Sequence, residues 1–109
     1  LQSGELNNAL KIFESLSKKE PRWAEPINKI ATIKFLMGDY LGSVNDIKLT
    51  LQLEPRHFGA ISGLVQINIH LKNYNEAIKN IDYVSKIHPF LNILQHRPDI
   101  LKLIRKSSI

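Results

Sequence analysis

The sequence predicts an all-α fold built from tandem pairs of antiparallel helices, and three observations support this prediction. Pro21, Pro55 and Pro89 stand 34 residues apart, and a fixed period of this size is typical of helical repeat proteins. Four further sets of similar residues keep the same register: Leu6, Tyr40 and Tyr74; Ala9, Ser43 and Ala77; Phe13, Ile47 and Ile81; Leu16, Thr50 and Val84. Within each period, apolar residues recur at helical spacing.

The composition is that of an ordinary folded protein. Of the 109 residues, 43% are hydrophobic and 23% are charged, which is far from the composition of a disordered chain. No apolar run approaches the ~18 residues of a membrane-spanning helix. Cysteine is absent, so disulfides, thiolate metal ligands and a thiol nucleophile are excluded.

The central period, residues 24–57, resolves into two helices. The first covers residues 25–37 and ends at Gly38, because glycine tolerates the left-handed conformation that closes a helix. The second covers residues 40–53 and ends just before Pro55, because proline cannot continue a helix and disfavours helix in the residue before it. The connecting turn is so short that the two helices must be antiparallel.

The neighbouring periods repeat this pattern. Helices are predicted over residues 6–18, 58–71 and 74–87, and the last two belong to a complete period over residues 58–91. The first period, residues 4–21, holds only a second helix. Residues 1–3 correspond in register to the last turn of a first helix, so the chain is predicted to be a fragment of a longer protein.

The last segment, residues 92–109, departs from the repeat. Pro98 falls where the middle of a helix would lie, and proline costs about 3 kcal/mol in a helix interior. A short turn followed by a helix over residues 98–106 is therefore predicted, with Pro98 in its first turn. This helix is expected to cap the last repeat. Its covering residues are Ile100, Leu101, Leu103 and Ile104, and its water-facing residues are Lys102, Arg105 and Lys106. All segments together, residues 1–109, are predicted to form one domain.

Nearly the whole of residues 4–89 resembles the tetratricopeptide repeat family. The resemblance is carried by Gly38-Asp39-Tyr40, Ala31, Ser43, Leu53-Glu54-Pro55, Asn73-Tyr74, Ala77 and Pro89. Lys34 departs from the family, which often has tyrosine there, and we expect one weakened packing contact. Residues 53–60 and 62–64 also resemble a group of small bacterial repeat proteins, many exported, with no assigned activity. The compartment stays unknown at this point: a soluble bacterial protein, either cytoplasmic or exported, is expected.

The family resemblance implies a right-handed superhelix whose concave face is lined by the first helix of each pair. The predicted peptide-binding groove consists of Asn28, Thr32, Phe35 and Leu36 in one repeat and Ser62, Gln66, Ile69 and His70 in the next. Family members that hold an acidic peptide C-terminus use lysines, an arginine and asparagines at such places, and only Asn28 matches here. The resemblance therefore implies a peptide held by apolar anchors and amide hydrogen bonds.

The groove residues also have simpler structural interpretations. Phe35 and Ile69 fit packing between adjacent repeats, whereas Asn28, Thr32 and Gln66 fit ordinary solvated helix positions. The sequence alone leaves both interpretations open.

Neither a metal, a cofactor nor an enzymatic activity is predicted. His57, His70, His88 and His96 show no i, i+4 pairing with one another and no acidic companion at ligand spacing. No phosphate-binding loop and no recognisable catalytic motif occurs. Trp23 is expected either to cover the junction between repeats or to provide an exposed contact point.

A basic C-terminal third supports a rival function. Six basic residues, Lys79, Lys86, Arg97, Lys102, Arg105 and Lys106, face only Asp82 and Asp99. Three alternatives follow: a solvated basic face, contact with an acidic protein, or contact with nucleic acid. The lack of interleaved aromatic residues, which would stack on bases, disfavours nucleic acid.

The open N-terminal end suggests a homo-oligomer. The first helix lacks its partner, which is expected to leave Leu10 and Phe13 partly exposed, and open ends of repeat arrays tend to pair. The sequence as a whole predicts a non-enzymatic interaction or scaffold module that binds a protein or peptide partner. Nucleic-acid binding through the basic end is the alternative, and the partner's identity does not follow from the sequence.

Overall fold

A computed structural model describes residues 3–87 and 95–107, and these residues form six α-helices. The helices are α1 (Ser3–Lys19), α2 (Ala24–Leu36), α3 (Tyr40–Leu53), α4 (Phe58–His70), α5 (Tyr74–Ile87) and α6 (Arg97–Ser107). They belong to two compact units, Leu1–Ala60 and Ile61–Ile109, whose boundary lies within α4. The all-α class predicted from the sequence is confirmed.

The predicted helix boundaries agree closely with the structure. The bounds of α3 and α5 are those predicted, those of α4 differ by one residue at its end, and those of α2 and α6 differ by one residue at each end. The exception is α1, which begins at Ser3 because Gly4 and Glu5 continue the helix instead of forming a turn. Predictions that concern residues 88–94 lie outside the described residues, and the single-domain organisation stays a prediction.

In the first unit, α2 packs against both α1 and α3. Its buried residues Ile27, Ile30, Ala31 and Ile33 meet a core to which α3 adds Ile47 and Thr50. Apolar residues on more than one side of α2 are what a helix with two neighbours requires. Because the neighbours cover these sides, α2 presents only its remaining side to the solvent.

The two helices of the first repeat are joined at small residues. The Ser43 hydroxyl donates a 2.7 Å hydrogen bond to the carbonyl oxygen of Ala31, and each residue is 1% exposed. This confirms the predicted contact of the paired helices at these two positions. Gly38, with φ of 85°, closes α2, and the Asp39 carboxylate accepts a 3.0 Å hydrogen bond from the Gly42 N–H at the start of α3.

A polar pair lies one turn further along the same interface. Lys34 Nζ is 2.8 Å from Asp46 Oδ2, with side chains 28% and 15% exposed. An ion pair thus takes the place of aromatic packing at Lys34, and the weakened packing contact stays a prediction. Asn68 and Asn80 stand 34 residues later, and Asn68 Nδ2 donates to Asn80 Oδ1 over 3.0 Å. Both repeats therefore join their helices by a polar contact at the same register.

In the second unit, α5 packs against α6 and meets α4 through the Asn68 to Asn80 hydrogen bond. The most deeply buried apolar residues of this unit are Val65, Ile67, Ala77, Ile81, Val84 and Ile100. Lys72, with φ of 63°, forms the turn between α4 and α5 at the register of Gly38. In the part of the chain that the structure describes, no helix combines the length and the apolar character needed to cross a membrane.

The last helix, α6, covers α5 with one apolar side. Ile100 is buried and Leu101 and Ile104 are half-buried, as predicted. The prediction is wrong for Leu103, which is 36% exposed because it lies at the edge of the stripe formed by these three residues. The predicted water-facing residues Lys102, Arg105 and Lys106 are exposed.

An ion pair fixes the start of α6 to α5. Arg97 Nε donates to Asp82 Oδ1 over 2.8 Å, and its Nη2 lies 3.4 Å from Oδ2. The hydrogen bond from Arg97 lowers the pKa of Asp82 below its usual value. Slight burial of the carboxylate opposes this shift, and the positive charges of Arg97 and Lys86 add to it. The carboxylate in turn raises the pKa of Arg97.

The polar pair of the first repeat is expected to be replaceable by that of the second. Asp46→Asn leaves the half-buried Lys34 ammonium without its carboxylate, and we expect it to lower the free energy of unfolding by about 1–2 kcal/mol. The double variant Lys34→Asn with Asp46→Asn copies the amide pair of the second repeat and is expected to recover at least half of this loss. Urea denaturation of the wild type, both single variants and the double variant measures the coupling.

The exposed Lys48→Asn on α3 serves as the control and is expected to change stability by less than about 0.5 kcal/mol. If the double variant loses as much free energy of unfolding as the two single variants lose together, the two positions do not interact.

The Asp82 pair is expected to make stability depend on acid pH. Because the pKa of Asp82 is lower in the folded state, the pair stabilises the fold above the ordinary aspartate pKa of about 4 and loses this effect as the pH falls through the lowered pKa. Asp82→Asn is therefore expected to reduce stability at neutral pH and flatten the acid limb of the stability curve. Both side chains are more than 40% exposed, so high salt should shrink the difference.

Stability measured against pH in low and high salt tests this expectation, with the exposed Asp99→Asn as the control. Parallel acid limbs for the wild type and Asp82→Asn would contradict it.

Candidate functional site

The predicted groove residues of α2 lie on the outward side of that helix. Thr32 and Leu36 are exposed, and Asn28 is half-buried. Their spacing of four residues places them one above the other, because an α-helix has 3.6 residues per turn. The Thr32 hydroxyl donates a 3.2 Å hydrogen bond to the carbonyl oxygen of Asn28, which holds it against the helix backbone.

Phe35, the fourth predicted residue of α2, has a structural contact within its own repeat. Its ring lies edge-on to the ring of Tyr40, with centroids 5.4 Å apart and an interplanar angle of 63°. The pair bridges the turn between α2 and α3, and Phe35 is half-buried. We refer to Asn28, Thr32, Phe35 and Leu36 together as the α2 stripe.

The second predicted set has the same arrangement on α4. Gln66 and His70 are exposed, and Ser62 and Ile69 are half-buried. These four residues, the α4 stripe, follow their counterparts in the α2 stripe by 34 positions each. Neither stripe contains an acidic residue, a lysine or an arginine. The union of the two stripes in one concave groove remains a prediction.

A cluster of contacts around His57 at the start of α4 was not predicted from the sequence. The Ala60 N–H donates a 3.0 Å hydrogen bond to His57 Nδ1, so the imidazole caps α4. Because Nδ1 accepts, Nε2 carries the proton, and it contacts Glu25 Oε1 of α2. Gly59 leaves room for the ring, since a Cβ there would lie 3.2 Å from His57 Cε1 and 3.7 Å from Asn28 Nδ2.

His57 has no acidic companion at ligand spacing in the sequence, but the folded chain brings Glu25, which lies 32 residues away, to its ring. Two groups do not form a cation site, however. Among residues 3–87 and 95–107, no group of three or more histidine or acidic side chains is placed to hold a metal ion. The cluster therefore serves the capping of α4.

Trp23 occupies the register of His57, one repeat earlier. It precedes α2 as the N-cap residue, makes no capping hydrogen bond with its side chain and is 50% exposed. Of its two predicted roles, this exposure favours the contact point.

The basic C-terminal third is partly neutralised within the molecule. Arg97 pairs with Asp82, and Lys79 Nζ lies 3.2 Å from Glu76 Oε1 on the surface of α5. These internal pairs reduce the positive charge available to a polyanion, so they weaken the case for nucleic-acid binding.

Comparison with known proteins adds to this geometry. No family model matches the chain. A TPR repeat-containing protein of Rhizobium etli is 34% identical over 93 residues, which are 85% of this chain and 46% of that protein. Tetratricopeptide repeat protein 37 of Xenopus laevis is 30% identical over 108 residues, which are 94% of this chain and 7% of that protein. The chain thus spans less than half the length of these curated relatives.

A solved structure shares the fold. The first TPR of Spaghetti (RPAP3), bound to the HSP90 peptide SRMEEVD, matches 97% of this chain with a TM-score of 0.82 and 16% identity, and 82% of that chain is covered. Together with the 34-residue period, this match defines a tandem helical repeat protein. Since its relatives are named for the same repeat, the predicted resemblance to the tetratricopeptide repeat family is confirmed.

Removal of the imidazole cap is expected to destabilise α4. His57→Ala deletes the acceptor for the Ala60 N–H, and we expect a loss of about 1 kcal/mol in the free energy of unfolding. His57→Asn keeps a side-chain acceptor at the cap and should lose less. Urea denaturation measures both variants, and Glu25→Gln, which retains an acceptor for Nε2, serves as the control. Equal stability of His57→Ala and the wild type would show that the cap contributes nothing.

Proposed function

We propose that this chain is a non-enzymatic protein-interaction module that binds a peptide segment through the α2 stripe and the α4 stripe. The observation that carries the proposal is that equivalent positions of two repeats stay at the surface. Thr32 and Gln66 are both exposed, as are Leu36 and His70, although neighbouring residues of both helices are buried. A surface that recurs with the repeat offers a ligand regularly spaced contacts.

The chemistry of the stripes favours a largely uncharged peptide segment. Leu36, which is 52% exposed, provides an apolar anchor. Asn28 and Gln66 each offer an amide that both donates to and accepts from a peptide backbone. Lys34 of α2 is paired with Asp46 of α3, so its charge is already engaged within the repeat. A clamp for an acidic peptide is therefore not part of the proposal, although the solved neighbour is bound to the HSP90 peptide SRMEEVD.

The absence of catalysis is also part of the proposal. Among the described residues, His57 contacts the carboxylate of Glu25, and both of its ring nitrogens are engaged in contacts that position α4. A general base needs a nitrogen available to the reacting proton. This cluster therefore supports a structural role better than a catalytic one.

Charge placed on the stripes is expected to weaken peptide binding. Peptides selected for binding to the wild type from a display library of short random sequences would be measured against the double variant Thr32→Arg with Gln66→Arg. Both positions are exposed, so the fold should persist while the affinity falls at least about tenfold, which corresponds to ~1.4 kcal/mol. Titration calorimetry gives the affinities.

The matched control is Asn45→Arg with Asn75→Arg, which places the same charges on exposed positions of α3 and α5. It should leave the affinity within about twofold. Equal binding by both double variants would contradict the proposal. If the protein binds none of the peptides but retains material that nuclease removes, the basic C-terminal third would be favoured as the functional surface.

A further inference from the structure

The outer side of α5 combines basic residues with an aromatic ring. The inner side of this helix is 0% exposed at Ala77, Ile81 and Val84. The exposed residues of α5 are Asn75, Glu76, Lys79, Tyr83 and Lys86. Lys79 and Lys86 stand four residues before and three residues after Tyr83, so helical spacing places the three on one side. We refer to Lys79, Tyr83 and Lys86 as the α5 stripe.

Tyr83 gives this stripe an apolar contact area. It is 51% exposed, although it belongs to a helix whose inner side is fully covered. An aromatic ring therefore lies among the basic residues of the C-terminal third, contrary to the expectation from the sequence. Tyrosine is enriched at protein interfaces, because its ring provides apolar area and its hydroxyl a hydrogen bond.

The neighbouring carboxylates leave the positive charge of the stripe available. Lys79 Nζ lies 3.2 Å from Glu76 Oε1, but these side chains are 72% and 59% exposed, and such a surface pair contributes little. Asp82 is held by Arg97 of α6, which contacts both of its oxygens. The charge of Lys86 acts on Asp82, yet among the described residues Lys86 forms no ion pair of its own.

The two helices at the same register lack this combination. The equivalent exposed positions are Asn45, Leu49 and Gln52 in α3 and Lys11, Ser15 and Lys18 in α1. Packing of a helix at this place in the repeat therefore requires neither lysines nor an aromatic ring on its outer side. Of these three helices, α5 alone carries both.

We propose that the α5 stripe is a docking surface for an acidic amphipathic helix of a partner protein. Lys79 and Lys86 are seven residues apart, which is about 10.5 Å along the helix axis. A helix lying alongside α5 presents carboxylates at this spacing from its positions i and i+7, and an apolar residue between them meets Tyr83. An extended segment repeats its side chains on one side every ~6.8 Å, which does not match this spacing.

A nucleic acid strand matches the α5 stripe less well. The carboxylates of Glu76 and Asp82 lie on the same helix, close to the lysines, and repel phosphate groups. A partner helix, in contrast, can place a basic residue against Glu76 beside its own carboxylates. Single-stranded nucleic acids also stack successive bases on several aromatic rings, whereas the stripe contains one.

The test uses helical peptides from a display library in which two glutamates seven residues apart are fixed and the other surface positions vary. Peptides are selected on the wild-type chain. Lys79→Glu with Lys86→Glu is expected to lower their affinity at least about tenfold, because both attractions become repulsions. A peptide with lysines in place of its two fixed glutamates should bind this variant and not the wild type. Titration calorimetry gives the affinities.

Two further variants examine the parts of the stripe separately. Tyr83→Ser copies the residue that α1 has at this register, and we expect it to lower the affinity at least about fivefold. Lys79→Gln with Lys86→Gln removes both charges without adding carboxylates beside Glu76 and Asp82. It is expected to lower the affinity at least about fivefold, and it keeps the test valid if the charge-reversed variant does not fold.

The matched control is Lys11→Glu with Lys18→Glu, which makes the same change of charge at the equivalent exposed positions of α1. It should leave the affinity within about twofold. Thr32→Arg with Gln66→Arg should also leave it unchanged, because the α5 stripe is separate from the α2 and α4 stripes. Peptides that the Thr32 and Gln66 variant weakens bind those stripes instead and overturn the assignment to α5.

Three other outcomes overturn the proposal. The first is a library that yields no peptide dependent on Lys79 and Lys86. The second is an α1 control that weakens binding as much as the α5 variant does, or a charge-reversed peptide that does not bind the charge-reversed protein. The third is a single-stranded thymidine oligonucleotide that binds the wild type and is lost in the α5 variant while no peptide is selected, which would assign the stripe to nucleic acid.

Discussion

The close contact between the two helices of each repeat is the constraint on which the other features depend. Ala31 and Ser43 are small and buried, and their hydrogen bond holds α2 and α3 in one register. That register brings Lys34 opposite Asp46. The same offset in the second unit brings Asn68 opposite Asn80. One packing geometry thus accepts an ion pair or an amide pair, because the backbone offset and not the charge selects the partners.

This constraint also determines which residues remain at the surface. The sides of α2 that face α1 and α3 are committed to the core, so the α2 stripe occupies what is left. The α4 stripe repeats the same positions 34 residues later. A repeat fold therefore generates a recurrent outward surface as a consequence of its packing, and its side chains can vary with little cost to the core. We base the proposed peptide binding on this separation between packing residues and surface residues.

The same reasoning explains why α1 differs from α3 and α5. Its sequence has the register of a second helix, yet its residues at the pair interface are more exposed than their counterparts. The period thus relates residues that share no contact.

The sequence by itself determined the helices, their pairing and the positions of the stripes, because these follow from local propensity, proline and glycine signals and a repeated spacing. It also placed Ala31 against Ser43. Only the tertiary structure decided the contacts between distant residues. Glu25 meets His57 across 32 positions and Lys34 pairs with Asp46, because both contacts depend on how helices lie beside one another. The exposure of Leu103 was decided in the same way, by which edge of α6 meets α5.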